Sequence, residues 1–219
     1  MISGLYAITN ENLMQGDDFA VKAEAVLLGG CTILQYRNKH SDFNAKIKQG
    51  KLLRTLCDRY KARLIINDSI ELANIVGADG VHLGQKDGAI SEARNNLGSN
   101  AIIGSTCHDS LSLAQSAIEA GASYVAFGRF FPSETKPDAP PAPLSLIAEA
   151  KKKFNIPVVA IGGINGDNAS QLLAAGADSI AISNDLFSRR VLPSSARSKI
   201  ESKTIEKQAR FYQSFFNAK

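Results

Sequence analysis

"GADGV" (77–81) returns as "GASYV" (121–125) and again as "GADSI" (176–180), and these stretches decide how the chain is organised. In each, a glycine ends an amphipathic segment, an alanine packs, and a short polar residue turns the chain into an apolar run. A recurring helix-to-strand joint implies regular alternation of helices and strands. No single period runs through the chain, so this is a repeated joint and not a solenoid.

Outward from the joints, short apolar runs cover Leu5 to Thr9, Thr32 to Tyr36, Leu64 to Asn67 and Gly80 to Leu83. Further runs cover Ala101 to Gly104, Tyr124 to Gly128, Val158 to Ile161 and Ser179 to Ile182. Helical patterns lie between them, as at Phe19 to Leu28, Asp42 to Tyr60, Ser110 to Ala120 and Asn168 to Ala175. Eight strands each followed by a helix is the count of a (β/α)8 TIM barrel. A doubly wound open sheet shares that periodicity and differs in closure. No linker or composition break divides the chain, so the expectation is a single TIM-barrel domain over 1–219, with a basic helix at about 195–217. In that helix Ile200, Ile205, Phe211, Tyr212, Phe215 and Phe216 are the expected buried stripe.

The composition, 44% hydrophobic and 21% charged, is that of a soluble globular protein. A net charge of +4 is too small to argue for nucleic acid, and its excess sits in the C-terminal segment, where eight Lys/Arg face two Asp/Glu over 189–219. No apolar stretch is long enough to span a bilayer. The opening Met1-Ile-Ser-Gly-Leu-Tyr has no signal-peptide pattern, and Cys31, Cys57 and Cys107 form no CxxC pair. These point to a reducing cytoplasm, without a zinc site or disulfide framework. Monomer and small homo-oligomer both remain open.

Barrel enzymes carry their chemistry on loops at the carboxyl ends of the strands. "LQYRNK" (34–39) closes the second run; alternation puts Gln35, Arg37 and Lys39 on one face, toward the mouth, and Leu34 and Tyr36 on the other, against helices. "NDS" (67–69) and "VHLGQKD" (81–87) follow the third and fourth runs. Asp68 and Asp87 therefore sit on adjacent strand ends, where two carboxylates suit a hard cation such as Mg²⁺. The competing role for Asp68, Ser69 and Asp87 is helix capping. "GSTCH" (104–108) closes the fifth run, and the proline-rich loop over 130–143 contributes Ser133, Thr135 and Lys136 as a candidate lid. Gly162 and Gly163, with Ser183 after the eighth run, are the expected phosphate pocket; the competing role for the glycines is a tight turn. His82 and His108 also fall near the mouth, with no triad around either. Three cations, two carboxylates and a glycine-lined pocket suggest displacement of pyrophosphate by a phosphorylated nucleophile.

The ordered set "QYRNK", "NDS", "ADGVHLGQKD", "GSTCH", "PSETK", "PVVAIGGI" and "AIS" resembles the thiamine-phosphate synthase family, over about Gly4 to Ser183. The resemblance implies a transferase of thiamine biosynthesis, using two small-molecule substrates and Mg²⁺, that needs neither nucleic acid nor a membrane. It implies that a hydroxymethylpyrimidine diphosphate and a hydroxyethylthiazole phosphate are joined with release of pyrophosphate, by a dissociative route. By the same resemblance Gln35 and Asn67 hold the pyrimidine. Arg37, Lys39 and Lys136 hold the diphosphate, and Asp68 and Asp87 the metal. Thr106, Ser133 and Thr135 line the pyrophosphate and thiazole sides, while Gly162 or Gly163, Ile182 and Ser183 take the thiazole phosphate. Arg37, Lys39, Lys136 and Thr106 are then the catalytic set. The family's usual "QLREK", "NDD", "GxSxH" and "GPIFPT" read here "QYRNK", "NDS", "GSTCH" and "GRFFPS", which puts Thr106 where Ser is usual and adds Arg129. Two other activities are compatible with such a chain: a thiazole tautomerase-like relative, and a non-catalytic sensor of thiamine precursors.

Overall fold

The computed structural model describes residues 2–132, 141–188 and 197–217. The strands are β1 (Gly4–Ile8), β2 (Ile33–Tyr36), β3 (Arg63–Asn67), β4 (Gly80–Leu83), β5 (Ile102–His108), β6 (Tyr124–Phe127), β7 (Val158–Ile161) and β8 (Ser179–Ile182). The helices are α1 (Asp18–Leu28), α2 (Phe43–Tyr60), α3 (Ile70–Val76), α4 (Ile90–Leu97), α5 (Leu111–Glu119), α6 (Ser145–Lys153), α7 (Ala169–Ala174), α8 (Asn184–Phe187) and α9 (Arg197–Ser214). All neighbouring strands pair in parallel, and β8 returns to β1 with Leu5 beside Ile180. The sheet is thus a closed barrel in chain order, and the open-sheet alternative is excluded.

Period-two alternation sorts the strand side chains into two layers. Tyr6, Ile8, Ile33, Ile65, Tyr124, Ala126, Val159 and Ala181 fill the barrel interior. Leu5, Ala7, Leu34, Tyr36, Leu64, Ile66, Val81 and Val125 face the helices. Caps set the helix starts: Asp42 accepts from Ala45 N–H, Ser69 from Leu72 N–H and Ser110 from Leu113 N–H.

The repeated joints act as locks at the amino-terminal end of the barrel. Leu64, Ile103 and Val158 donate their backbone N–H groups to Asp79 Oδ2 (2.8 Å), Ser123 Oγ (3.0 Å) and Asp178 Oδ2 (2.7 Å). Each acceptor residue returns its own N–H to the same strand residue's carbonyl. The short polar residue thus satisfies a strand end that has no ladder partner left. On β1 the acceptor comes from the C-terminal helix, with Leu5 N–H donating to Gln213 Oε1 at 2.9 Å.

One expectation extends and one needs correction. β5 ends in "GSTCH" as expected but runs past the Gly104 end of its apolar run to His108; a bulge at Cys107 shifts the register between Thr106 and His108 and redirects the chain. In α9, Ile205, Ala209 and Tyr212 are buried, but Phe211 is 46% exposed. It falls one position off the 205–209–212 face and packs edge-on to Tyr212 and Phe215 at 5.4 and 5.1 Å. The side chain of Ile200 lies outside the described residues. Cys31, Cys57 and Cys107 are free and buried, and burial pushes their thiols up to about 12, 12 and 11. At neutral pH they are inert packing groups.

Candidate active site

The carboxyl ends of the strands surround a cavity of about 460 Å³. Gln35, Arg37, Asn67, Thr106, Gly162, Gly163, Ile182 and Ser183 all line it. Lys39, Asp68 and Asp87 do not; they form a separate cluster on the β2–β4 rim. Ser133, Thr135 and Lys136 lie outside the described residues.

"LQYRNK" divides because β2 ends at Tyr36, and strand alternation ends with it. Gln35 turns inward, and Leu34 and Tyr36 turn to the helices, as expected. Beyond the strand, the loop after β1 takes over. Thr9 Oγ1 accepts from Arg37 N–H at 2.8 Å and donates to Arg37 O at 3.2 Å. Glu11 Oε2 accepts from the N–H groups of Lys39 (2.9 Å) and His40 (3.1 Å). Asn38 Oδ1 accepts from the His40 and Ser41 N–H groups. This clamp leaves Arg37 on the cavity and sends Lys39 to the rim, 3.4 Å from Asp68 Oδ2.

Ser69 takes the cap of α3, and the N-cap of α4 is Ala89, which has no side-chain cap bond, so neither Asp68 nor Asp87 is spent on a helix end. Asp87 Oδ2 accepts from Gly84 N–H at 2.9 Å. Burial, then the hydrogen-bonding neighbour Asp87, pushes the Asp68 carboxyl upward, and Lys39 opposes them. Two carboxylates in contact repel until a cation or proton joins them. Among the described residues no group of three or more His, Cys, Asp or Glu could hold a metal, and Asp68 and Asp87 stand as a pair of carboxylates. Such a pair fits Mg²⁺, which keeps several waters and takes phosphate oxygens to complete its shell.

The glycine pair has a packing reason of its own. A Cβ on Gly162 would stand 2.3 Å from Arg129 Cβ, and one on Gly163 2.2 Å from Pro132 O, with φ of 102° and 64° at the two residues. Phe130 and Phe131 donate N–H bonds to the Ile161 and Gly162 carbonyls. The pair therefore seats the loop after β6 while also lining the cavity. α7 begins at Ala169, and its N-cap Asn168 ties back to the pair by donating Nδ2 to Gly163 O at 3.0 Å. α8 starts directly after Ser183 and is braced from both sides: Asn10 Nδ2 donates to Asn184 Oδ1 at 2.8 Å, and Gln208 Nε2 and Tyr212 OH donate to Asp185 Oδ2.

Two residues at the site, Tyr6 and Tyr124, escape sequence reasoning, and His82 gains partners the sequence did not show. Tyr6 and Tyr124 fall within the first and sixth apolar runs, yet both line the cavity. His82 donates or accepts at both ring nitrogens, to Tyr124 OH (2.9 Å) and Thr106 Oγ1 (2.8 Å). Only strand parity, placing Tyr6 with Ile8 and Tyr124 with Ala126, signals an inward direction.

The sequence profile of the family described as thiamine monophosphate synthase matches residues 5–186. The chain belongs to that family. The thiamine-phosphate synthase of Saccharophagus degradans is 54% identical over 184 residues, covering 84% of this chain and 85% of that one. That of Thioalkalivibrio sulfidiphilus is 51% identical over 188 residues, covering 86% and 89%. The solved thiamine phosphate pyrophosphorylase from Pyrococcus furiosus superposes with a TM-score of 0.78 at 32% identity, over 94% of this chain and 95% of that one. No helix among the described residues is long and apolar enough to cross a membrane.

Proposed function

We propose that the chain joins 4-amino-2-methyl-5-hydroxymethylpyrimidine diphosphate to 4-methyl-5-hydroxyethylthiazole phosphate, giving thiamine phosphate and pyrophosphate. The observation that carries this reading is the adjacency of the Lys39–Asp68–Asp87 rim to the cavity lined by Gln35, Arg37 and Asn67. A leaving diphosphate needs cations at the rim, and the ring it leaves needs a shielded pocket with a few oriented polar groups. Arg37 and Lys39 hold the diphosphate, joined by Lys136. Gln35 and Asn67 hold the pyrimidine, and Thr106, Ser133 and Thr135 border the pyrophosphate and thiazole sides. Gly162, Gly163, Ile182 and Ser183 receive the thiazole phosphate.

Asp68 and Asp87 are the residues that would hold Mg²⁺. When bound, the ion supplies positive charge that stabilises the departing pyrophosphate. The C–O bond breaks ahead of C–N bond formation, leaving a resonance-stabilised pyrimidine methyl cation that the thiazole nitrogen captures. Such a route asks for preorganised charge and little acid–base chemistry. A relative acting on the thiazole phosphate alone would have no use for the rim cluster. Buried free thiols support a cytoplasmic setting.

The test is direct. Purified protein given both substrates and Mg²⁺ should form thiamine phosphate, lose activity in EDTA and regain it with Mg²⁺. A folded, metal-supplied protein that makes no product overturns the reading; activity that survives EDTA overturns the metal assignment alone.

A further inference from the structure

Five side chains from five strands form one unbroken polar chain across the cavity floor. Gln35 Nε2 donates to Tyr6 OH at 2.8 Å, and Tyr6 OH meets Tyr124 OH at 2.7 Å. Tyr124 OH meets His82 Nδ1 at 2.9 Å, and His82 Nε2 meets Thr106 Oγ1 at 2.8 Å. Tyr6, Tyr124 and Gln35 are 1%, 0% and 3% exposed. The chain is built into the fold: Tyr124 lies opposite Gly104, where a Cβ would stand 2.0 Å from its Cζ and 2.3 Å from its hydroxyl. The same ring stacks on His82, at 5.6 Å and 24°.

A buried hydroxyl has one hydrogen to give, so each link constrains the next. Because Gln35 gives its amide hydrogen to Tyr6, the Tyr6 hydrogen satisfies the next link by going to Tyr124. The Tyr124 hydrogen then goes to His82 Nδ1, which must be unprotonated. In that direction His82 would carry its hydrogen on Nε2 and donate it to Thr106, whose own hydroxyl hydrogen would turn into the cavity. At the other end, the Gln35 amide is locked with Oε1, an acceptor, available to a ligand. Burial holds both phenols in the protonated form this direction requires.

We propose that Tyr6, Tyr124 and His82 are positioning residues that fix the hydrogen-bond polarity of the cavity floor, and so select a ring bearing an amino group over its oxo counterpart. The selection rests on the reading that Gln35 meets the pyrimidine. An exocyclic amine donates to Gln35 Oε1. An oxo group would set oxygen against oxygen, and turning the amide to relieve this would require the Tyr6, Tyr124 and Thr106 hydroxyls and the His82 tautomer all to reverse together. Sites that fix a buried partner in this way discriminate far better than apolar pockets. Removing the Tyr124 hydroxyl breaks the chain: Tyr6 can then donate to Gln35 Oε1, and the amide can present either end.

The experiment compares kcat/KM for the 4-amino and 4-oxo pyrimidine diphosphates, with the thiazole phosphate, in the unsubstituted protein, Tyr124→Phe and Tyr6→Phe. Preference for the amino ring should fall about tenfold or more in both variants, with KM for the thiazole phosphate unmoved. An unchanged preference in both variants overturns the proposal. Independently, ¹⁵N NMR of the ligand-free protein reads the His82 tautomer, its signals being assigned among only three histidines by His40→Gln and His108→Gln. Hydrogen on Nε2 supports the proposal, while an Nδ1–H tautomer or an imidazolium overturns it. If the unsubstituted protein turns over neither ring, the functional reading fails, and the tautomer still decides the direction of the chain.

Discussion

The two ends of this barrel use similar side chains to opposite purposes. At the amino-terminal end, Asp79, Ser123 and Asp178 are consumed by the backbone of the strands they follow. Arg54 and Arg63 pair with Asp79 at 2.5 and 2.8 Å, and Lys151 pairs with Asp178 at 2.8 Å. At the carboxyl end, Asp68 and Asp87 crowd each other, with Lys39 as their cationic neighbour. One end spends its polar groups on stability, whereas the other holds charges whose natural complement is a ligand. The difference teaches that polarity at a strand end reads as function only after its backbone obligations have been counted.

Three changes test this contrast. The largest effect should come from Arg37→Ala: turnover falling by on the order of 10²–10³, with stability altered by less than about 0.5 kcal/mol. Steady-state rates beside urea melts check both halves, and a parallel loss of rate and stability would erase the contrast. Next, Asp79→Ala should cost about 2–3 kcal/mol of stability, because Leu64 N–H and two guanidinium groups lose their acceptor. Its kcat per folded molecule should not change. A variant as stable as the parent would show that the joint is not a lock.

The smallest effect is in acid. Burial acts upward on Asp79, but the Arg54, Leu64 N–H and Arg63 bonds outweigh it and hold the carboxyl below its usual value of 3.8. A depressed folded pKa adds stability above the unfolded value and surrenders it as pH falls through the folded one. Unfolding free energy should therefore decline below about pH 4, and part of that decline should be missing in Asp79→Ala. Identical acid slopes for the two proteins would assign the loss to other carboxylates.

Much of the fold was legible from local pattern. The joints, the eight apolar runs and the inward turn of Gln35 all follow from period two and from helix-ending glycines. Which residues each strand delivers to its carboxyl end was legible, but not their arrangement there. Lys39 leaves the face it shares with Gln35 and Arg37, because Glu11, from the preceding loop, holds its backbone beyond the strand end. The extension of β5 depends on a bulge at Cys107, which apolar periodicity does not register. Tyr6 and Tyr124 looked like interior aromatics because their alternation is that of the core. Their hydroxyls acquire meaning only through one another.

The sequence by itself determined which residues each strand turns inward and which it delivers to its carboxyl end, since both follow from spacing along one element. Tertiary structure alone decided that the sheet closes, that the rim and the cavity are separate compartments, and that Gln35 reaches Thr106 through two phenols and an imidazole. Each of these depends on the summed twist and register of all eight strands. Periodicity within a single strand carries no record of that sum.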